Sequence, residues 1–460
     1  MRSCASVRPR GVRESTTMSH DDALAGIRGS TAAEIAASVR ALIERGDLAP
    51  RDALPPVRAL AERLGVNRNT TVAAYRLLAS SGLVESHGRA GTRVAAAELG
   101  AAEGSSPDTS LADVGAGNPD PRFIPDPQAA LSALAGRPVL YGAPVMDEGL
   151  ERWAREHLGP DLRVPARDVA ITVTGGAADA LERLFTAMLA PGDAVAIEDP
   201  GFLTGIHTLR VGGYRAVPVP VDEEGMTVEG LEAALEQGVR AVVCTPRAQN
   251  PTGASLSARR AVALRRALAD HPYVLVVEDD HFSLLSRRPH RSIIGARHRR
   301  WALVRSVSKF LGPDMSIALV ASDLTTAERL GMRLRPGTTW VSHLLQRLAL
   351  ALLDDDSARA RIAKAREHYA ERNDAFRAAL ARVGIDCPPG DGLNVWVPVA
   401  RPAREVAERL RGEGWIARPE DEFRVGSRAD PSSHLRVTAH HLDDDAQQRL
   451  AAAVAVAQEA

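Results

Sequence analysis

Lysine occurs only twice in the 460-residue chain, at Lys309 and Lys364, against 55 arginines. Lys309 lies in Ser306-Val307-Ser308-Lys309, directly behind the apolar run Trp301-Ala302-Leu303-Val304. An arginine guanidinium stays protonated in proteins, whereas a lysine amine can lose its proton and attack a carbonyl. A lysine kept behind a buried-strand pattern, in a chain that otherwise uses arginine, points to a Schiff base with an aldehyde. The competing reading is a solvated surface lysine. Asp279, in Glu278-Asp279-Asp280-His281, closes a second apolar run, Val274–Val277. A carboxylate there is costly unless it meets a cation. A protonated pyridinium nitrogen is such a cation, and its protonation makes an electron sink; a helix cap or surface turn is the plainer alternative.

Two more strand-like runs end in usable groups. Ala241–Cys244 leads to Asn250-Pro251-Thr252-Gly253, where the Asn250 amide can bond a phenolic oxygen. Ala194–Ile197 leads through Glu198-Asp199-Pro200-Gly201 to Phe202, whose ring can stack on another. Gly175-Gly176 separates the strand-like Val169–Val173 from a helix beginning near Ala177. Glycines at such a turn let a phosphate approach the free N–H groups of the helix, although a plain tight turn has the same appearance. Strand and helix patterns alternate in this way for about 340 residues, which predicts a mostly parallel sheet covered on both faces. Ligands of such sheets sit at the carboxyl ends of the strands.

The remaining composition bounds the problem. A 45% hydrophobic and 25% charged chain of this length reads as a soluble globular protein of more than one domain. The net charge of −1 selects no partner. Cys4, Cys244 and Cys387 have unrelated spacings, so neither a metal site nor a disulfide framework is expected, which suits a reducing cytoplasm. No apolar stretch reaches the roughly 18 residues of a membrane span. Residues 1–17 lack the apolar core of an export signal, and either Met1 or Met18 can serve as the start; residues 1–24 are expected to be a disordered tail.

Residues 25–95 carry ten arginines and six carboxylates (10 − 6 = +4), a basic excess suited to nucleic acid. Thr31 and Glu34 form a capping box ahead of Ile35, Val39, Leu42 and Ile43 at helical spacing. A second helix carries Val57, Leu60, Ala61 and Leu64 and stops at Gly65; Asn67 caps a third, with Val72, Tyr75 and Leu78 facing inward. Leu83-Val84-Glu85 and Thr92-Arg93-Val94 read as strands around the loop at His87-Gly88-Arg89. Three helices and a hairpin make a winged helix-turn-helix, against a small helical interaction module as the alternative. Its third helix presents Arg68, Asn69 and Thr70 in the first turn, where recognition helices meet DNA. Arg58 and Arg89 are expected to hold phosphates, and Arg68 and Asn69 to read bases. Residues 96–116, rich in Ala, Gly, Ser, Pro and Asp, read as a flexible linker.

The stretch over residues 28–95 resembles the GntR family of bacterial DNA-binding domains, through Leu54-Pro55-x-x-Arg58-x-Leu60-Ala61, Gly65-Val66-x-Arg68-x-Thr70 and Gly91-Thr92-x-Val94. The resemblance implies operator contacts from Arg58, Arg68, Thr70 and His87-Gly88. Residues 117–460 resemble fold-type I pyridoxal-phosphate enzymes, specifically the class I/II aminotransferases, and the two parts together resemble the MocR-type regulators. That resemblance assigns Lys309 to the imine with pyridoxal phosphate, Asp279 to the pyridine nitrogen, Asn250 to the 3-oxygen and Phe202 to ring stacking. It gives the phosphate to Ala177, Ala178, Ser306 and Ser308, and to Tyr141 reaching across a head-to-tail homodimer. Arg436, in Leu435-Arg436-Val437, matches the arginine that forks onto an amino-acid carboxylate, and Gly117-Asn118-Pro119-Asp120 matches the start of the domain.

The chain also departs from the family pattern. His281 stands where a tyrosine usually meets the 3-oxygen, which adds a group titrating near neutral pH. Ser316 replaces an arginine that pairs with the phosphate, a loss of about 1.5–3 kcal/mol, or roughly ten- to a hundredfold in affinity. Met146 and Glu151 replace a glycine and an arginine. The sequence therefore predicts a transcription regulator that binds promoter DNA and senses pyridoxal phosphate or an amino compound. A working aminotransferase acting on amino and 2-oxo acids is the alternative, and a DNA-binding protein with an inert cofactor fold is the third possibility.

Overall fold

The computed structural model describes residues 20–86, 91–94, 104, 110–134, 139–334, 340–426 and 430–459. The chain divides into two compact units, Met1–Glu98 and Leu99–Ala460. In the first, the Ala32–Glu44 helix opens with the full Thr31/Glu34 capping box, each side chain meeting the other's backbone. The Val57–Leu64 helix stops at Gly65, whose φ of 67° is the left-handed conformation that releases a helix end. Asn67 then caps the Arg68–Ser80 helix by accepting from the Asn69 amide. Strands β1 (Val84–Ser86) and β2 (Thr92–Val94) pair antiparallel, Val84 opposite Val94. Ile35, Val39, Leu42, Leu60, Tyr75, Leu78, Val84 and Val94 form one buried cluster. On the third helix Thr71 and Ala74 are buried with Tyr75 and Leu78, while Val72 is only half-buried.

Part of the expected tail lies among the described residues. His20–Ala25 is helical, and Ala23 is fully buried in the same apolar cluster as Ile27. Residues 20–24 are therefore helical where the sequence predicts a disordered tail, in a six-residue helix too brief for its periodicity to be read.

The second unit is built on an eight-stranded sheet. Its strands are β4 (Ala170–Thr174), β5 (Ala194–Asp199), β6 (Arg215–Asp222), β7 (Gly225–Met226), β8 (Ala241–Cys244), β9 (Leu275–Asp279), β10 (Trp301–Ser306) and β11 (Ala318–Ser322), in the order β4-β11-β10-β9-β8-β5-β6-β7. The five strands from β10 to β6 are parallel, and β11 runs antiparallel between β10 and β4. Alternate side chains leave on opposite faces. Val276, Leu303 and Leu319 join a cluster with Leu150 and Trp153; Val277, Val304 and Val320 join one with Ala180, Leu184 and Phe185 of the Ala177–Met188 helix. Burial on both faces explains why these strands read as unbroken apolar runs.

The rest of the unit packs a smaller sheet, β12 (Val395–Pro398), β15 (His434–Val437) and β14 (Arg418–Pro419), against the Ala403–Gly412 and Asp444–Glu459 helices. A short strand β3 (Ala112–Asp113) pairs in parallel with β13 (Trp415–Ile416), and Val114 is fully buried. Residues 112–116 thus belong to the second unit rather than to a linker.

Candidate functional site

Asp279 ends β9 and is 4% exposed. Its Oδ1 is buried with no hydrogen-bond partner. Burial, with the Asp280 and Glu198 carboxylates nearby, pushes its pKa up to about 7. Asp280, the next residue, has the opposite setting. Burial acts on it too, but Arg305 and Arg247 outweigh that and hold it far below the ordinary carboxylate range. Arg247 forks onto both of its oxygens at 2.8 Å, and Arg305 Nε reaches Oδ2 at 2.7 Å. One carboxylate is fully paired; its neighbour keeps an unmatched oxygen.

Lys309 lies in the short Ser308–Leu311 helix after β10, and its Nζ donates to the Gly117 carbonyl at 2.8 Å. Lys309, Asn250, His281 and Gly117 line one small pocket. Asn250 Oδ1 accepts from Arg436 Nη1 at 3.0 Å, and Arg436 Nη2 donates to Gly115 O at 2.6 Å. Arg436 is fully buried, with its guanidinium 4.8 Å from the Phe423 ring centre. Its fork is thus closed on the chain's own groups, and a carboxylate must displace a backbone carbonyl to engage it. The Phe202 and His281 rings lie 6.3 Å apart and within 8° of parallel.

The phosphate candidates share one end of the sheet. Register aligns Ser306 of β10 with Ala318 of β11 and Thr174 of β4, directly before Gly175-Gly176. Gly176 has φ 98°, and the Ala177–Met188 helix starts without a side-chain cap, so the Ala177 and Ala178 amides open its first turn. Ser306 Oγ donates to Ser308 Oγ at 3.2 Å. Ser316, expected where relatives carry an arginine, donates to Gly175 O at 2.9 Å and so braces this turn. Tyr141 is not brought to the pocket within one chain: it is 76% exposed, with its ring 5.5 Å from that of Trp340.

In the first unit Arg68 and Asn69 are exposed and Thr70 is half-buried at the start of the third helix. The Arg58 side chain is 86% exposed and pairs with Glu62 at 2.9 Å. His87, Gly88 and Arg89 lie outside the described residues. Sequence reasoning did not single out Arg247 and Arg305. The available signal was Arg305 itself, a charge inside an otherwise apolar strand that needs a buried partner.

An uncharged-amide floor or an apolar one would not suit a protonated heterocycle; the orphaned Asp279 oxygen, a lysine amine and an uncapped helix start do. The chain belongs to the aminotransferase class I and II family, which it matches over residues 128–454, a pyridoxal-phosphate-dependent fold, and residues 31–94 match the gntR family of bacterial regulatory proteins. This combination is that of a MocR-type transcriptional regulator. The chain is 47% identical over 428 residues, 93% of its length and 98% of the relative's, to the vitamin B6 salvage pathway transcriptional repressor PtsJ of Salmonella typhimurium. It is 26% identical, over 75% of its length and 76% of the relative's, to the probable rhizopine catabolism regulatory protein MocR of Rhizobium meliloti. The fold is shared with the Pyrococcus horikoshii kynurenine aminotransferase, at a TM-score of 0.68 and 22% identity, over 76% of this chain and 91% of that one.

Proposed function

We propose that the second unit binds pyridoxal phosphate at Lys309, and that pyridoxal phosphate or an amino compound exchanging onto it sets how tightly the winged helix holds promoter DNA of vitamin B6 metabolism. The buried, unpartnered Asp279 oxygen carries this reading, because a carboxylate in that position is stabilised only by an arriving cation or proton. Pyridoxal phosphate, when bound, supplies an aldehyde for an amine and a protonated ring that accepts electrons. Asp279 holds the proton on the ring nitrogen, while Asn250 and His281 meet the ring oxygen and Phe202 covers the ring face. Ala177, Ala178, Ser306 and Ser308 bind the phosphate, and Tyr141 of a second copy completes the set in a head-to-tail homodimer. Arg58, Arg68, Asn69 and Thr70, with His87, Gly88 and Arg89, contact DNA.

The signal begins at Gly115–Gly117. Lys309 and Arg436 both donate to carbonyls of this segment. When Lys309 turns to an aldehyde and Arg436 to a ligand carboxylate, both bonds to the segment are given up. The segment follows β3, which lies just after the stretch leading from the winged helix. Ligands that bind the two arrangements unequally shift the balance between them. A second reading, amino-group transfer between amino and 2-oxo acids, is favoured by Arg436 standing beside Asn250. Repeated turnover with a 2-oxo acid supports the enzyme, and a single halted spectral change on adding an amino acid supports the sensor.

The direct test is DNA affinity of the full chain at fixed salt, with and without pyridoxal phosphate. The expected result is a shift of about tenfold, equal to 1.4 kcal/mol. Identical affinities with and without saturating pyridoxal phosphate, and no change when an amino acid is then added, would sink the sensing role.

A further inference from the structure

Behind the strand ends that carry Asp279 and Ser306, the second unit holds another cavity, of about 260 Å3. It lies on the opposite face of the sheet. Arg305 and Leu319, register partners on β10 and β11, both line it, whereas Ser306 points to the other side. It opens to solvent at Arg366, and for scale an apolar cavity of about 150 Å3 already accommodates benzene. Trp153, Phe310 and Leu319 give this one a wall suited to a flat ring.

Its polar groups are unequally engaged. Arg305 is fully committed, to Asp280 and to Asp161 at 2.7 Å. Arg366, also on the wall, is 41% exposed and bonds only the adjacent Glu367 among described contacts. Ser283 lines the same cavity, and its hydroxyl is buried with no hydrogen-bond partner. Its φ of 36° is uncommon for a residue with a side chain, a form of strain that collects at ligand sites. A ring-sized space, an unmatched hydroxyl and an available guanidinium describe a receptor for one aromatic ring bearing one anionic group.

We propose that this cavity is a second ligand site, separate from the Lys309 pocket, that takes a small aromatic acid. Val307 and Phe310, on either side of the Ser308-Lys309 pair, form part of its wall, and Arg305 fixes Asp280 beside Asp279. Occupancy therefore bears on the Lys309 pocket from behind; this coupling, unlike the site itself, rests on the pyridoxal-phosphate reading above. By linkage, each ligand changes the other's affinity by the same factor.

Benzoate is the probe, titrated into the full chain without pyridoxal phosphate and followed by calorimetry and by tryptophan fluorescence. Saturable one-site binding is expected, with benzyl alcohol weaker by about tenfold for want of the charge. Leu319→Trp, which fills the space, should abolish it. Arg366→Ala, a change at a partly exposed position that leaves the fold intact, should weaken benzoate about tenfold and leave benzyl alcohol unchanged. Benzoate that fails to bind, or that binds both variants as it binds the wild type, overturns the site. Pyridoxal phosphate titrated at saturating benzoate should show a severalfold shift in affinity, and no shift overturns the coupling. Absence of any pyridoxal-phosphate absorbance, with benzoate binding intact, would instead remove the Lys309 reading and leave this site standing.

Discussion

Arg58, Arg68 and Asn69 stand in solvent above a core of Ile35, Val39, Leu60, Leu78 and Val84. In the second unit Asp279, Asp280, Arg305 and Arg436 are themselves inside. Among the described residues of the first unit, no charged side chain is buried. The difference is the one that the two proposed ligands require. A DNA duplex is met at the surface, and its phosphates need charges that keep their water until contact. A small cofactor is enclosed, so the groups that meet it are desolvated beforehand, and the charges around them are held by partners, as Asp280 is by Arg247 and Arg305. Binding and folding are separable in the first unit and entangled in the second. That distinction can be broken by mutation.

The largest expected effect is Lys309→Ala. Absorbance from pyridoxal phosphate and the borohydride-fixed mass at this residue should both vanish, while the first unit's DNA contacts remain. Lys364 is the only other lysine, so retained mass at any other lysine points to that one residue and ends the Lys309 assignment. Asp280→Asn comes next. It removes the charge that Arg247 and Arg305 share, and leaving buried partners unmatched costs about 3–5 kcal/mol. Urea unfolding should show that loss, and a variant as stable as the wild type would mean the clamp contributes nothing.

Why one of these two residues was legible and the other was not has a physical basis. Lys309, Asp279, Asn250 and Phe202 all directly follow apolar strands or their turns, so local pattern is enough to mark them. The Asp280 clamp depends on Arg247 and Arg305, which lie 33 and 25 residues away in sequence. The pairing exists only once β8, β9 and β10 are neighbours. Likewise β3 is two residues long and pairs with β13 some three hundred positions later, so its composition reads as linker. The alternating strands and helices were readable because each strand is buried on both faces. The closed Arg436 fork was not, since its acceptors are a backbone carbonyl and a distant amide.

A pH series sharpens the contrast between adjacent carboxylates. Asp279 is raised from 3.8 to about 7 in the folded protein, so without a cofactor the native state keeps a proton that the unfolded chain has released. The resulting stability is complete below pH 3.8 and is lost as pH rises through about 7. Asp279→Asn is neutral throughout and escapes this loss. Its stability relative to the wild type should rise between pH 4 and 7 by up to about 4 kcal/mol and then level off. Glu198, also pushed up to about 7 by burial, titrates in both proteins, so only its coupling to Asp279 enters the difference. Parallel urea midpoints from pH 5 to 8 for the two apo-proteins would exclude a raised Asp279.

Arg68→Ala and Arg58→Ala carry the smallest effects and test the first unit alone. Both side chains are exposed, so neither change should move the thermal unfolding midpoint. Arg68, at the first turn of the third helix, should cost about 1–3 kcal/mol of operator affinity and relax the preference at one base position. Arg58 should weaken all sequences alike and reduce the slope of log affinity against log salt by about 1. Its bond to Glu62 in the free protein must break first, but an exposed pair of this kind holds little energy. The two variants therefore separate by kind rather than by size. If Arg58→Ala changed base preference and Arg68→Ala changed only the salt slope, the roles of the two helices would be exchanged.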